Sequence, residues 1–511
     1  MAQINVSGLT FCYEGSYDNI FEDVSFSIDT DWKLGFIGRN GKGKTTFLKL
    51  LLGAYEYRGS ISTSAVFEYF PFQVEEDWLS ENTIDAVEHF DAGYELWKVC
   101  RELELLETDA EILYRPYQTL SFGERTKVML AVLFAKDQRF LLIDEPTNHL
   151  DMPTRELLVR YLKKKKGYIL ISHDRWLLDQ CADHILVLNR NTIEVEKGNF
   201  STWWENKQKR DAFELAENEK LKHEIAKMTE AARRTALWAD KVEATKIGFD
   251  PKKEPDRFIG TRSYIAAKSK KMQQRSKSFR QRSESAIDEK KTLLKDLETQ
   301  TELKLLPLTH HKEVYVECRE FSCGYEAGNA VVDHFNMKLG RGDRIVLQGN
   351  NGCGKSTLLK AILQAGDANS GLKTVPERLY MHGTLEAASG LLISYINQDT
   401  SYLKGSLENY IEGCQEEESL FKAVLRQLDF ERVQFEKNLE EYSEGQKKKV
   451  LIAGSLLKQA HLYIWDEPLN YIDVFSRMQI EQLILKFQPT MLIVEHDRAF
   501  AEKVATRIIK F

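Results

Sequence analysis

The sequence lacks the features of a membrane-spanning or secreted protein. No apolar run approaches the roughly 18 residues that a helix needs to cross a bilayer. The start, Met-Ala-Gln-Ile-Asn, is without the charged-then-apolar pattern of a secretion signal. The seven cysteines have no paired spacing, which argues for reduced thiols and against a structural metal site. We therefore expect a soluble, cytoplasmic protein with no membrane contact.

Acidic residues are absent from one stretch, residues 262–282. The whole chain has a formal net charge of −7, which by itself argues against general nucleic-acid binding. Within the stretch, however, there are eight basic residues: Arg262, Lys268, Lys270, Lys271, Arg275, Lys277, Arg280 and Arg282. Such a run is often only a solvated helix face, and the alternative is contact with nucleic-acid phosphates.

Two segments fit the phosphate-binding loop pattern, and each follows an apolar, strand-like run. Residues 38–45 read Gly-Arg-Asn-Gly-Lys-Gly-Lys-Thr, and residues 349–356 read Gly-Asn-Asn-Gly-Cys-Gly-Lys-Ser. Glycines let backbone N–H groups close around phosphate oxygens, while the lysine adds a positive charge and the hydroxyl can bind Mg²⁺. The candidate contacts are Gly38, Asn40, Gly41, Gly43, Lys44, Thr45 and Thr46, and Gly349, Asn351, Gly352, Gly354, Lys355, Ser356 and Thr357.

Further motifs follow each loop in the same order. A Ser/Gly segment comes first, then an apolar strand that ends in Asp-Glu, then a histidine after another apolar strand. From the serine to the aspartate there are 23 residues in both copies. The residues are Ser121, Gly123, Asp144, Glu145 and His173 in the first copy, and Ser443, Gly445, Asp466, Glu467 and His496 in the second. Such regular spacing indicates one α/β fold used twice.

The acidic pairs are candidates for hydrolytic chemistry. An aspartate at the end of a buried strand can hold Mg²⁺, and the adjacent glutamate can polarise an attacking water. The histidine can hydrogen-bond a terminal phosphate. A single Asp-Glu pair is usually a solvated turn. Here, however, each pair follows an apolar, strand-like run in a repeat that also contains a phosphate loop.

Together these residues resemble the ATP-binding cassette (ABC) ATPases over about residues 1–200 and 313–511. The resemblance implies a head-to-tail sandwich with ATP and Mg²⁺ as cofactors, in which each phosphate loop faces the Ser/Gly segment of the other repeat. It also implies that Tyr13 and Tyr325 stack on adenine and that Gln73 and Gln398 sense the metal. Site one would join Lys44, Thr45, Gln73, Asp144, Glu145 and His173 to Ser443 and Gly445. Site two would join Lys355, Ser356, Gln398, Asp466, Glu467 and His496 to Ser121 and Gly123.

Several positions differ from the common pattern of these ATPases. Phe122 and Glu444 stand where glycine is usual, and Glu124 replaces a glutamine. After the acid pairs, Pro-Leu-Asn-Tyr-Ile-Asp in the second copy corresponds to Pro-Thr-Asn-His-Leu-Asp in the first. We therefore expect the two sites to hydrolyse ATP at different rates. Both catalytic glutamates remain, so we expect neither site to be inactive.

Between the repeats lies a segment typical of long exposed helices, rich in Lys, Glu, Ala, Arg and Gln. Its apolar residues recur at helical spacing, as Leu221, Ile225, Met228 and Ala232 and again as Ile265, Met272 and Phe279. Glycines and prolines interrupt the pattern between 248 and 260. We predict an antiparallel helical hairpin over 204–312, with its tip at about 247–261, between ABC domains at 1–203 and 313–511. Phe249, Phe258 and Ile259 would lie at the tip.

The chain resembles the ABC-F class of these ATPases, which binds ribosomes. The segments 442–449 and 463–473 resemble its antibiotic-resistance branch, which acts on lincosamides, pleuromutilins and streptogramin A compounds. The first repeat has no room for the extra arm of housekeeping members, and the chain ends at Phe511, soon after His496.

That resemblance implies a monomer that enters the ribosomal E site and contacts large-subunit RNA. Its linker would reach P-site tRNA and dislodge the drug from the peptidyl-transferase centre. The alternatives are a housekeeping translation factor, an ATPase subunit of a transporter, and a coiled-coil DNA-repair ATPase. The last is disfavoured because each repeat here carries a complete motif set.

Overall fold

A computed structural model describes residues 3–14, 19–136, 139–148, 150–189, 192–244, 305–326, 329–366 and 379–511, together with Ala267, Lys270, Lys271, Gln274, Lys277, Ser278, Gln281 and Arg282. The chain divides into two units, Met1–Trp203 with Thr301–Phe511, and Trp204–Gln300. Within the described part of the chain, no helix is both long enough and apolar enough to span a membrane.

Among the described residues of the first repeat, nine strands form two sheets. Five strands of the larger sheet are parallel in the order β5-β6-β7-β3-β8, and β9 adds antiparallel at the edge. The smaller sheet has the order β2-β1-β4. The strands are β1 (Gln3–Phe11), β2 (Phe21–Asp29), β3 (Lys33–Gly38), β4 (Arg58–Ser62), β5 (Val66–Phe70), β6 (Arg139–Asp144), β7 (Tyr168–Ile171), β8 (His184–Leu188) and β9 (Ile193–Lys197).

Helices cover the parallel sheet of this repeat. They are α1 (Lys44–Leu51), α2 (Thr83–Phe90), α3 (Leu96–Leu105), α4 (Phe122–Ala135), α5 (Met152–Lys163) and α6 (Arg175–Cys181). Three 3-10 helices span Glu76–Ser80, Ala110–Tyr114 and Tyr117–Thr119. The central strands read as continuous apolar runs because both faces of a parallel sheet are buried.

The second repeat has the same architecture. Its parallel sheet has the order β14-β15-β16-β12-β17 and its antiparallel sheet the order β11-β10-β13. The strands are β10 (Val314–Gly324), β11 (Val332–Gly340), β12 (Arg344–Gln348), β13 (Tyr380–Ala387), β14 (Ile393–Ile396), β15 (Leu462–Asp466), β16 (Met491–Val494) and β17 (Arg507–Lys510). The helices are α8 (Lys355–Ala365), α9 (Leu407–Cys414), α10 (Glu418–Gln427), α11 (Glu444–Leu457), α12 (Val474–Phe487) and α13 (Arg498–Val504), with 3-10 helices at Arg432–Glu436 and Leu439–Glu441.

In both repeats the loops after the parallel strands carry the motifs. The phosphate loops follow β3 and β12, and the acid pairs follow β6 and β15. Because these strands are adjacent or nearly so in one sheet, their carboxyl ends meet at one edge. The two repeats thus form two α/β domains of the same architecture in tandem, as the sequence predicts.

The second unit contains one long described helix, α7, which begins in the first repeat and spans Phe200–Ala244. The predicted apolar positions Leu221, Ile225, Met228 and Ala232 are half-buried, whereas every residue between them is exposed. The predicted tip lies outside the described residues, as do Ile265, Met272 and Phe279. Of the basic stretch, Lys270, Lys271, Lys277 and Arg282 are described, and all four are helical and exposed.

Candidate active sites

Each phosphate loop begins its helix with a glycine in a left-handed conformation. Gly43 has φ 105° and Gly354 has φ 97°. A Cβ on Gly43 would lie 2.5 Å from Ile20 Cγ2, and one on Gly354 would lie 2.6 Å from Val332 Cγ2. Both the backbone angle and the lack of space therefore require glycine at these positions.

The loop lysines lie within the curve of their own loops. Lys44 Nζ donates hydrogen bonds to Gly38 O at 2.7 Å and Arg39 O at 3.1 Å. Lys355 Nζ donates in the same way to Gly349 O at 2.9 Å and Asn350 O at 2.8 Å. Burial lowers the pKa of Lys44. Each loop thus presents a buried amine beside a helix N-terminus, which is the arrangement that binds phosphate.

The aspartates that end β6 and β15 face the loop hydroxyls. Thr45 Oγ1 donates to Asp144 Oδ2 at 2.7 Å, and Tyr69 donates to the same oxygen at 3.0 Å. In the second repeat Asp466 is bonded to Ser356, and its Oδ1 is buried without a hydrogen-bond partner among the described residues. Burial raises the pKa of Asp144 and raises that of Asp466 to about 6. A hydroxyl, a carboxylate and a free buried oxygen form a donor set that suits Mg²⁺.

The candidate catalytic glutamates have the same backbone conformation in the two repeats. Glu145 and Glu467 have φ of 51° and 46°, and their N–H groups donate to Ile171 O at 2.9 Å and Val494 O at 3.0 Å. These bonds to the neighbouring strand hold a left-handed conformation that costs a non-glycine residue free energy. The backbones of the two glutamates are therefore held in matching conformations.

The surroundings of the two glutamates differ. His173 Nε2 lies 3.2 Å from Glu145 Oε1, and His496 Nε2 lies 3.5 Å from Glu467 Oε1. Burial and the adjacent Asp144 raise the pKa of Glu145 to about 8. Burial opposes ionisation of Glu467 too, but the contact with His496 and the charge of Lys355 hold its pKa below the usual range. Burial also lowers the pKa of His173, and the charge of Lys44 adds to this effect.

The two candidate metal-sensing glutamines lie in different environments. Gln398 Nε2 donates to Glu467 Oε2 at 2.8 Å, whereas Gln73 is exposed. Tyr69 pairs with Leu142 and Tyr395 pairs with Ile464, so the two tyrosines are equivalent. Gln73 follows its tyrosine by four residues and Gln398 by three. The first repeat therefore has one extra residue between β5 and its glutamine, which accounts for the different environments of Gln73 and Gln398.

The first phosphate loop lies against the Ser/Gly segment of the second repeat. Asn40 Nδ2 donates to Tyr471 O at 2.8 Å. A Cβ on Gly445 would lie 3.6 Å from Asn40 Nδ2 and 2.6 Å from Tyr471 O, so only glycine fits there. Ser443 caps α11 through a bond from Gln446 N, which fixes its hydroxyl at the helix start.

The second phosphate loop contacts the first repeat. The N–H of Asn351 donates to Asp151, which also caps α5. Ser121 caps α4 in the same way as Ser443 caps α11. Both loops therefore contact the opposite repeat, the first at Gly445 of the Ser/Gly segment and the second at Asp151. The approach of Ser121 and Gly123 to the second loop stays a prediction.

Two ion pairs join the repeats at site one. Arg39 Nη1 lies 2.9 Å from Asp429 Oδ1, and Lys42 Nζ lies 2.8 Å from Glu431 Oε1. In the second loop the uncharged residues Asn350 and Cys353 take the places of Arg39 and Lys42. The difference in charge between the two loops can be read from the sequence. The partners of Arg39 and Lys42 could not, because they lie almost 400 residues away.

A buried ionic cluster lies between the repeats as well. Arg155 Nη1 donates to Asp174 Oδ2 at 3.3 Å and to His496 O at 3.4 Å across the interface. Arg477 makes the equivalent bond to Asp497 Oδ2 at 2.9 Å, and Arg175 pairs with Glu481. These charges therefore lie beside both candidate histidines at the interface between the repeats.

The candidate adenine-stacking tyrosines stand beside their phosphate loops. Tyr13 OH is 2.7 Å from Thr46 Oγ1, and Tyr325 OH is 3.3 Å from Thr357 Oγ1. Both rings are exposed, with 41% and 39% of their surface accessible. Each ring is thus anchored at its hydroxyl and open for stacking, and its contact with adenine stays a prediction.

Comparisons with known proteins agree with this geometry. The family model described as ABC transporter matches residues 21–148 and 332–470, more than half of the chain. The Ribosome protection protein VmlR of Bacillus subtilis is 28% identical over 502 residues, which cover 96% of this chain and 84% of that protein. The Energy-dependent translational throttle protein EttA of Haemophilus influenzae is 26% identical over 538 residues, with 96% and 89% covered.

Among solved structures, the archaeal ribosome recycling factor aABCE1, in complex with the ribosomal stalk protein aP1, matches with a TM-score of 0.60. It is 18% identical and the match covers 98% of this chain and 87% of that chain, which supports the fold alone. The chain therefore belongs to the ABC transporter family, as an ATP-hydrolysing protein of the ABC-F type with two ABC domains in tandem.

Proposed function

We propose that this protein protects ribosomes from antibiotics. Its ATP-bound form enters the ribosomal E site, and its linker dislodges lincosamide, pleuromutilin or streptogramin A compounds from the peptidyl-transferase centre. Contacts with large-subunit RNA and P-site tRNA belong to this proposal. So do the domain bounds 1–203, 204–312 and 313–511 and action as a monomer. The similarity to a ribosome protection protein over nearly the whole chain supports it.

One observation carries the proposal: a stiff helix leaves the first ATPase domain. Phe200–Ala244 contains 45 residues, which at 1.5 Å per residue gives about 68 Å. A simple tether between two domains needs no such length or stiffness, and a short flexible linker would serve. A helix attached directly to a domain that closes on ATP can transmit that closure to a distant site.

The chemistry follows from the residues at each domain interface. Thr45 and Asp144 would hold Mg²⁺ in site one, and Ser356 and Asp466 in site two, where the ion supplies charge stabilisation for phosphoryl transfer. Lys44 and Lys355 bind phosphate oxygens. Ser443 and Ser121 donate from the opposite domain and complete each site only when the domains close.

The catalytic glutamates orient and deprotonate the attacking water. Glu145 and Glu467 accept the water proton as general bases, and His173 and His496 hold the terminal phosphate in line. Hydrolysis removes the phosphate that joins a loop to the opposite serine. The domains then separate and the protein leaves the ribosome.

A housekeeping translation factor is the second candidate. The similarity to a translational throttle protein, with 89% of that relative covered, favours it. A transporter subunit is less favoured because a membrane partner would leave the long helix without a purpose.

Trapping the closed form tests the proposal. Glu145→Gln with Glu467→Gln should keep ATP bound and leave the protein on ribosomes in a sedimentation assay, whereas Glu56→Gln with Glu412→Gln, at exposed positions, should not. Equal release of both double variants would contradict the cycle. Lincosamide and pleuromutilin susceptibility of an expressing host then separates protection from a housekeeping role, since only protection lowers susceptibility.

A further inference from the structure

The second repeat carries an exposed basic groove that the ATP sites do not use. α9, α10 and the 3-10 helix Arg432–Glu436 enclose a groove of about 560 Å³. Four lining residues are basic and two are acidic: Lys422, Arg426, Arg432 and Lys437 against Glu408 and Glu436. The groove is therefore positive although the chain as a whole is negative.

An aromatic ring lies beneath two of these cations. Lys422 Nζ and Arg426 Cζ are each 5.8 Å from the centroid of the Phe435 ring. That ring stacks on the buried Phe430, with centroids 5.5 Å apart, and packs against the main core of the repeat. The ring is thus packed against the core, and the two cations lie over it at cation–π distance.

Most of the positive charge in the groove is available to a ligand. Lys422 is neutralised by Glu408 at 3.5 Å and by Glu418. Arg426, Arg432 and Lys437 are exposed and form no ion pair with any residue that the structure describes. Three unpaired cations around one groove suit a polyanion that presents several phosphates.

The first repeat supplies an internal comparison. Equivalent positions of the two repeats differ by 322 residues from α3 and α10 onwards, as with Ser121 and Ser443. Cys100, Glu104 and Ala110 therefore correspond to Lys422, Arg426 and Arg432. They line the matching groove of the first repeat. Lys437 corresponds to Arg115, so three of the four basic positions are neutral or acidic in the first repeat, and the fold does not require positive charge at those three.

We propose that this groove binds the phosphate backbone of RNA. The proposal rests on the ribosome-binding function and adds to it a second RNA contact, separate from the linker. RNA is favoured over an acidic protein segment because the proposed ribosomal partner presents closely spaced phosphates, which the forked guanidinium groups of Arg426 and Arg432 can bind. The groove also adjoins Asp429 and Glu431, which hold the first phosphate loop, so RNA bound here lies next to the contacts that close site one.

Cross-linking tests the groove without ribosomes. The full-length protein is irradiated with an RNA duplex of about 20 base pairs that carries 4-thiouridine, and the peptide containing Phe435 is analysed by mass spectrometry. We expect a cross-link in the parent. Arg426→Glu with Arg432→Glu should reduce its yield about tenfold, because two phosphate contacts are lost. This local readout is insensitive to RNA bound elsewhere on the chain.

Matched measurements decide the outcome. Arg58→Glu with Arg341→Glu makes the same charge change at exposed positions outside the groove and should leave the cross-link unchanged. Equal yields from the parent and the groove variant would overturn the proposal. So would poly-L-glutamate that displaces the RNA at equal charge concentration, which would indicate an acidic protein partner. If the parent protein forms the cross-link but does not sediment with ribosomes, that result would count against the proposed function and not against RNA binding in the groove.

Discussion

Lys42 of the first phosphate loop forms an ion pair of 2.8 Å with Glu431 of the second repeat, and Cys353 replaces Lys42 in the second loop. With the pair between Arg39 and Asp429, this contact gives the first phosphate loop two interdomain ion pairs, whereas the second loop forms none with the residues that the structure describes. The two sites therefore differ in how strongly their domains are held together.

Exchanging the loop residues should weaken site one. We expect Arg39→Asn with Lys42→Cys, which gives the first loop the residues of the second, to reduce ATP affinity at that site by a few-fold. Each pair is partly exposed and contributes roughly 0.2–1 kcal/mol. Titration of a fluorescent ATP analogue at low and high salt measures this effect. The parent should lose affinity with salt more steeply than the variant, and identical salt dependence would mean that the pairs do not hold the site.

Hydrolysis at the two sites should depend differently on pH. A general base must be deprotonated, and the pKa of Glu145 is raised to about 8 whereas that of Glu467 is lowered. In Glu467→Gln, where only site one acts, the rate should rise roughly fivefold from pH 7 to pH 8 as Glu145 loses its proton. In Glu145→Gln the rate should be nearly constant over the same range. Parallel profiles would exclude this difference between the glutamates.

Tyr69 should help to position Asp144, the proposed Mg²⁺ ligand of site one. Its hydroxyl donates to Asp144 Oδ2, whereas the equivalent Tyr395 donates to Asn397 Oδ1 at 3.3 Å. Tyr69→Phe removes a hydrogen bond to a carboxylate, which contributes about 1.5–3 kcal/mol. The Mg²⁺ concentration for half-maximal binding of a fluorescent ATP analogue should rise several-fold. Tyr395→Phe is the control, and an equal effect of both variants would argue against the role.

The buried arginine at the domain interface should contribute strongly to stability. Arg155→Ala leaves Asp174 buried without its cation, which costs about 3–5 kcal/mol. The control is Arg160→Ala on the same helix, because its pair with Glu107 is exposed and contributes about 0–1 kcal/mol. Denaturant unfolding measures both variants. If both variants lost a similar free energy of unfolding, the buried pair of Arg155 and Asp174 would contribute no more than a surface ion pair.

Motifs that act through neighbouring residues could be predicted from the sequence. Both phosphate loops and both acid pairs follow buried strands, and their apolar runs identify those strands in advance. The apolar helix face of Leu221, Ile225 and Met228 could be predicted for the same reason, since helical spacing is a local property of the sequence.

Contacts between distant residues could not be predicted in this way. The ion pair between Lys42 and Glu431 depends on how two separately folded repeats face each other. The exposure of Gln73 depends on one extra residue after β5. That residue changes the direction of the glutamine side chain, although the order of the motifs stays the same. The bond from Tyr69 to Asp144 depends on the register of β5 against β6.

Drug release from the ribosome is the most direct test of the proposed function. Ribosomes loaded with a radiolabelled lincosamide are mixed with the Glu145→Gln, Glu467→Gln protein and ATP, and the retained drug is counted on filters. If ATP-bound closure drives the linker to the peptidyl-transferase centre, retained drug falls as the protein binds, and it does not fall without ATP. Full retention of drug on ribosomes that carry the protein would contradict protection and favour the housekeeping role.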